Sequence, residues 1–332
     1  MKTDPQSAAS VDRRTFLRNM QLVKLKSPEE YVAKSKIVQF VSTNPNIGNY
    51  LPVLAIQRML HENTDVFNIH REIDYDFINA NYESAVIGGA GLLHKVFEPF
   101  WKEFGEKCTL PTVIWGVGLC SLDSADEPTF VAPEAARAVL ERALAVNVRD
   151  DLTAKTYASG IRDAISVTEC PTVFYLKDFH VVPAKDAVTL VIHPGLISDE
   201  MHEAVEHALT LRGLRVKKTL NVQTEAEGID DIIYDYYCES SLIVTSRLHG
   251  AIIAYGLGLP YIAIAGDEKL REFHLIFGGG WLANDVAGVN AVLDSADFSF
   301  AMPGIEPPKP DLTEVMNFGI LASKLLYKAQ NN

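Results

Sequence analysis

The sequence predicts a two-domain α/β protein in which each domain is a doubly wound, Rossmann-like parallel sheet flanked by helices, and the two domains face a cleft. Three observations lead there. The chain has 332 residues, and domains commonly run to about 100–200 residues. From residue 37 onward, short continuous apolar runs alternate with helical patterns, as parallel sheets buried on both faces require. The alternation pauses once, over the polar stretch from Lys177 to Asp186 with Pro183, and then restarts. These breaks divide the chain into a polar N-terminal arm (1–35), a first domain (36–180) and a second domain (181–332).

The elements follow in order. Ile37 to Val41 reads as a strand, and the loop from Ser42 to Asn49 is rich in Asn, Pro and Gly. Leu51, Leu54, Ala55, Met59 and Leu60 fall on one helical face, with Pro52 in the expected first turn. Ala85 to Ile87 is a strand running into Gly88-Gly89-Ala90-Gly91, and Thr112 to Trp115 is one ending at Gly116-Val117-Gly118. A helix over 133–144 leads to the strand Ala145 to Val148 and to Arg149-Asp150. A helix from Leu152 to Ser159 and a strand from Ile165 to Val167 complete the first half. In the second half, strands are expected at Thr189–Ile192, Leu214–Val216, Leu242–Thr245 and Tyr261–Ile264. Helices are expected over 199–211, 228–239 and 250–257, with a last one from Leu312 to Lys328 that packs back on the first domain.

Composition narrows the function. Net charge is −13 at pH 7, which argues against a nucleic-acid partner but allows a few arginines to make a local cationic cleft. The four cysteines, Cys108, Cys120, Cys170 and Cys238, show neither C-x-x-C nor zinc-finger spacing. They read as reduced thiols of a cytoplasmic protein. Arg13-Arg14 resembles an export signal, but Arg18, Lys24 and Lys26 follow where an apolar stretch would be needed. No run approaches the roughly 18 apolar residues of a membrane span. No metal site is evident.

Ligands of doubly wound sheets bind beyond the carboxyl ends of strands, so the loops after strands are where chemistry is sought. Ser246-Arg247-Leu248-His249-Gly250 stands out. It follows a strand and opens a helix at Gly250, whose free N–H groups suit an anion. Arg247 adds a planar fork for carboxylate or phosphate, and His249 can carry a proton near neutral pH. His193 also follows a strand and His94 sits beside the glycine turn; both are read as structural.

The stretch from Leu242 to Lys269, with Ser246-Arg247-Leu248-His249-Gly250, Gly258-Leu259-Pro260 and Lys269, resembles the signature of the polysaccharide pyruvyl transferase family. Asn46-Ile47-Gly48-Asn49, Gly88 to Gly91, Gly116 to Gly118 and Val148-Arg149-Asp150 resemble further family segments in the same order. The resemblance implies a GT-B-like fold and an enzyme of polysaccharide or exopolysaccharide biosynthesis. Its activity would move pyruvate from phosphoenolpyruvate, as co-substrate, onto two hydroxyls of a sugar or glycan-lipid acceptor to form a ketal, with no further cofactor. It implies a donor site of Arg149, Arg247, Leu248, Gly250 and Lys269, with His249 as general acid. The acceptor would meet Asn46, Gly48, Asn49, Gly88, Gly89 and Gly91.

The sequence departs from the family where Asn49 stands in place of Asp, at Glu169-Cys170-Pro171 in place of Asp-Pro, and at Gly266-Asp267-Glu268 before Lys269. Two alternatives remain at this level: a GT-B glycosyltransferase using a sugar nucleotide, and a non-catalytic glycan- or anion-binding protein of the same fold.

Overall fold

A computed structural model of the chain describes residues 32–120, 128–159, 161, 165–224, 227–295 and 310–329. The Arg13-Arg14 reading and most of the polar arm lie outside the described residues. Two parallel sheets account for all eleven named strands, so the expected fold class is the observed one.

The first sheet contains β1 (Ile37–Val41), β2 (Asp65–Asn68), β3 (Ser84–Gly88), β4 (Thr112–Val117), β5 (Ala145–Val148) and β6 (Ser166–Val167), in the order β2-β1-β3-β4-β5-β6. Gln39 of β1 registers with Val66 on one side and Val86 on the other. Its helices are α1 (Ile47–Leu60), α2 (Tyr75–Asn81), α3 (Glu98–Lys107), α4 (Pro133–Arg142) and α5 (Asp151–Tyr157). The short α6 (Thr172–Leu176) leads out of the domain.

The second sheet contains β7 (Ala184–Val191), β8 (Arg215–Thr219), β9 (Ser240–Thr245), β10 (Tyr261–Ile264) and β11 (Gly280–Ala283), in the order β11-β10-β9-β7-β8. Its helices are α7 (Asp199–Thr210), α8 (Ile229–Ile232), α9 (Leu248–Gly256), α10 (Glu268–Phe277) and α11 (Val286–Leu293). A π-turn (Ile233–Cys238) extends α8. The chain ends in α12 (Thr313–Ala329).

Three boundaries differ from expectation for local reasons. α1 begins at Ile47, because Asn46 caps it by accepting the Gly48 N–H at 2.9 Å. Pro52 therefore lies inside the helix and not in its first turn. The stretch expected as one helix over 228–239 becomes α8 plus the π-turn. α9 begins at Leu248, two residues early, because Thr245 Oγ1 accepts the Arg247 N–H at 2.9 Å and closes the turn ahead of it. Strands β2 and β11 and helices α2, α3, α10 and α11 were not anticipated.

α1 holds the two halves together. Ile47, Tyr50, Leu51 and Val53 enter a core that also contains Val191, Ile243, Ile252 and Leu270 of the second domain. Its other side, at Ile56 and Leu60, joins Ile37, Val86, Val113 and Trp115 of the first sheet. α12 crosses back and covers that face with Phe318, Ala322 and Leu326. The Phe318 ring meets Trp115 edge-on, with centroids 5.4 Å apart. Tyr327 ties the end of α12 to Glu62 at 2.8 Å. Among the described residues no helix is long and apolar enough to cross a membrane.

Phe318→Ala would open a cavity under α12. It should cost about 3–5 kcal/mol of unfolding free energy, read as a lower urea midpoint with an unchanged slope.

Candidate active site

Each sheet reverses its strand order once: between β1 and β3 in the first, and between β7 and β9 in the second. Connections leave in opposite directions there and leave a crevice at the strand ends. The two crevices meet in one cleft of about 530 Å³. Its lining comes from the loops and helix starts that follow β1, β2, β3, β4, β5, β7, β8, β9 and β10.

Of the residues expected on the donor side, Arg149, Arg247, Leu248 and Lys269 line this cleft with His249. Asn46, Asn49 and Gly91 line it from the expected acceptor side. Gly48, Gly88, Gly89 and Gly250 do not. A side chain at Gly88 would strike Ile56, and one at Gly89 would strike Pro52, so both serve the packing of α1 on β3. Gly250 leaves room for the Thr245 side chain. Gly48 abuts the His249 ring so closely that a β-carbon would overlap it. The cleft adds Ser42, His70, Phe97 and Cys120, which sequence reasoning missed, and His94 and His193, which it took as structural. Ser42, Cys120, His94 and His193 lie in segments after strands that the sequence pattern marks, a signal that could have found them; His70 follows β2, which the pattern does not mark.

Three cations converge here. Arg149 is 4% exposed, and its guanidinium lies over Gly118, where any side chain would collide with it. Its Nε meets Asp150 at 3.4 Å, and Nη2 donates to the Leu119 carbonyl at 3.4 Å. Asp150 also caps α5 by accepting the Thr153 N–H at 2.7 Å, so its charge is divided. Lys269 pairs with Asp267 at 2.7 Å, the latter capping α10. Burial works against the Lys269 charge, but Cys120 and Asp267 outweigh it and the pKa rises.

Arg247 differs. It is 9% exposed, and its Nε donates to the Ile192 carbonyl at 2.7 Å. Among the described residues it has no carboxylate partner. Burial accordingly lowers its pKa. Among the described residues no carboxylate lines the cleft. A buried, unpaired guanidinium is costly, and a bound anion would relieve it.

His249 is 8% exposed, wedged between Gly48 of α1 and Cys170, whose Sγ is 3.9 Å from Nε2. Burial, then Arg149, Lys269 and Arg247, hold its pKa well below 6.5. The ring is therefore neutral at pH 7 in the free protein. His70, bonded to Ser42 Oγ at 2.8 Å, is also shifted down by burial, as are His94 and His193.

The geometry agrees with a family relationship. A model of the polysaccharide pyruvyl transferase family matches residues 46–268, from the cap of α1 to the first residue of α10. The chain belongs to the polysaccharide pyruvyl transferase family.

The matched span contains every cleft residue discussed above except Ser42 and Lys269. No curated protein matches the chain. Among solved structures, the chain is similar to the UDP-GlcNAc 2-epimerase of Neisseria meningitidis bound to UDP-GlcNAc. That match has 11% identity and a TM-score of 0.50 over 88% of this chain and 99% of the other. The Methanocaldococcus jannaschii UDP-GlcNAc 2-epimerase, in complex with UDP-GlcNAc and UDP, matches with 9% identity and a TM-score of 0.50 over 87% and 99%. At such identities these likenesses establish the two-domain fold that this transferase family member shares, and nothing about its ligands. Among the described residues no group of three His, Cys, Asp or Glu side chains is placed to hold a metal ion.

Histidines with lowered pKa bind protons more readily once unfolded. The contribution of these histidines to stability is therefore fully present above about pH 7 and declines as pH falls below 6.5, the ordinary value. The urea midpoint should drop between pH 7 and pH 5, and His249→Gln should flatten that dependence.

Proposed function

We propose that this family member transfers pyruvate from phosphoenolpyruvate onto two hydroxyls of a sugar or glycan-lipid acceptor, forming a pyruvate ketal and releasing inorganic phosphate. The observation that carries the reading is Arg247, a buried guanidinium without a carboxylate partner among the described residues, beside Arg149 and Lys269 in one cleft. Phosphoenolpyruvate bears a carboxylate and a phosphate close together, and three convergent cations suit that pair. Arg149 and Lys269 each share charge with an acid already. Arg247 gains most from the donor.

In this reading His249 is the general acid. Donor binding brings negative charge to a ring that burial and three cations keep neutral, so binding favours its protonated form. The imidazolium gives its proton to the methylene carbon, which becomes the methyl group, and C2 becomes cationic. One sugar hydroxyl attacks C2 and loses its proton. Departure of phosphate restores the cationic C2, and the second hydroxyl closes the ring. One hydroxyl proton replaces that lost by His249 and the other leaves with phosphate, so atoms and charge balance. General acid catalysis of this kind contributes about 10²–10⁴-fold.

The cleft also supports an acceptor of neutral hydroxyl character. Besides the cations it offers Asn46, Asn49, Ser42 and the neutral His70 and His94. These groups both donate and accept hydrogen bonds, as sugar hydroxyls do.

Calorimetric titration with phosphoenolpyruvate tests the donor. Binding should be accompanied by proton uptake, seen as a heat that varies with buffer ionisation enthalpy. Arg247→Ala should weaken it about thirtyfold or more, the scale of about 2–5 kcal/mol for one partner of a buried charge pair. His249→Gln should retain donor binding, lose the proton uptake and lower phosphate release in the presence of acceptor about 10²–10⁴-fold. Binding of UDP-GlcNAc without binding of phosphoenolpyruvate would overturn the reading in favour of a sugar-nucleotide enzyme.

A further inference from the structure

Asn221, just after β8, is fully buried and left-handed, with φ at 53°. Few residues other than glycine take that conformation, and Asn tolerates it best. Its side chain is used at both ends. Nδ2 donates to the Tyr237 hydroxyl at 2.7 Å, and that hydroxyl donates back to Oδ1 at 3.0 Å. Its N–H donates to Thr219 Oγ1 at 3.0 Å. Tyr237 comes from the π-turn and is itself fully buried. Three hydrogen bonds within the second domain thus fix this one residue.

What that peptide presents is its carbonyl, directed across the domain boundary. It accepts the N–H of Ile47 at 2.8 Å. Ile47 is the first residue of α1, so its N–H has no partner within the helix. Two residues further on, Gln223 N–H donates to the Pro45 carbonyl at 3.0 Å, and Asn46 and Val222 form an antiparallel bridge. The clasped segment, Pro45 to Ile47, carries the cleft residue Asn46 and leads directly into Gly48. Gly48 is the residue against which the His249 ring is packed with no room for a methyl group.

We propose that Asn221 and Tyr237 are positioning residues of the cleft, whose clasp on Pro45 to Ile47 holds the start of α1 against His249 and keeps that imidazole buried and oriented. The contribution to the reaction rests on His249 being the acid; the placement of the ring does not. A strained, doubly bonded Asn is more than a domain contact needs, since the shared core beneath α1 already joins the halves. The clasp adds registration of one turn over one ring. Cys170 holds the ring from another side at 3.9 Å, so a small movement of Gly48 would alter the ring's access to water while leaving that neighbour in place.

The full chain, labelled at histidine for NMR and followed by hydrogen exchange, tests this without any ligand. Two variants are compared with the parent: Tyr237→Phe, and Asn221→Gly, which keeps the left-handed backbone but removes the amide. Tyr82→Phe is the control, because its buried hydroxyl donates to Asp65 at 2.9 Å at the far edge of the first sheet. In both clasp variants, exchange over residues 44–50 should accelerate at least tenfold, and the His249 titration should move up toward 6.5. The control should change neither.

Folded clasp variants with parental exchange over 44–50 and a parental His249 titration would overturn the proposal, as would an equal shift in Tyr82→Phe. If the variants do not fold, the parent decides: Ile47 and Gln223 amides must exchange in one common opening, and independent openings would overturn it. A failed phosphoenolpyruvate titration leaves these readouts untouched, so the two ideas fail separately.

Discussion

A glycine against an imidazole is the contact on which the rest of this molecule depends. Gly48 belongs to the first domain and His249 to the second, and no β-carbon fits between them. For that contact to exist, two sheets must bring their strand-order reversals face to face, and α1 must be buried from both sides. Both conditions are met: α1 contributes to the core between the domains and to the core beneath α12. The cost of ordering so much chain around one ring is met by apolar burial that does not involve the cleft. The cleft itself can therefore hold groups that are poorly satisfied.

Arg247 is such a group, and its neighbours explain why it can persist. Arg149 lies in a slot made by the absence of a side chain at Gly118, and Lys269 is held by an acid that also caps a helix. Each is locked by a partner whose charge is already committed. Burial first, and then the field these cations create, keep His249 neutral. In the proposed function, cationic binding groups and a neutral acid are one arrangement: an anion that satisfied the first would also favour recharging the second.

Much of this could be read in the sequence, because the informative residues sit where continuous apolar runs end. Arg149 after β5, Arg247 to His249 after β9 and the Asn-rich loop after β1 were found that way. What was not legible depends on distance in space. Gly88 and Gly89 look like a ligand-binding turn, yet they are small because Ile56 and Pro52 of α1 lie against them. Strand β2 was missed because Asp65-Val66-Phe67-Asn68 carries polar residues at both ends, and the partner of buried Asp65, Tyr82, lies further along the chain. His70 and Phe97 reach the cleft through ring packing, with centroids 4.8 Å apart, which no local pattern encodes. The early start of α9 turns on one Thr245 hydroxyl.

The return of α12 to the first domain has a consequence for how the protein is made. β1 through β6 are synthesised well before α12, yet the apolar face around Val86 and Trp115, which Ile56 and Leu60 of α1 cover in part, gains Phe318, Ala322 and Leu326 from that late helix. At translation rates of about 5–20 residues per second, that face waits on the order of ten seconds for its cover. Over that interval part of the apolar face stays open, and the core of the first domain is completed by a helix that follows the second domain in sequence.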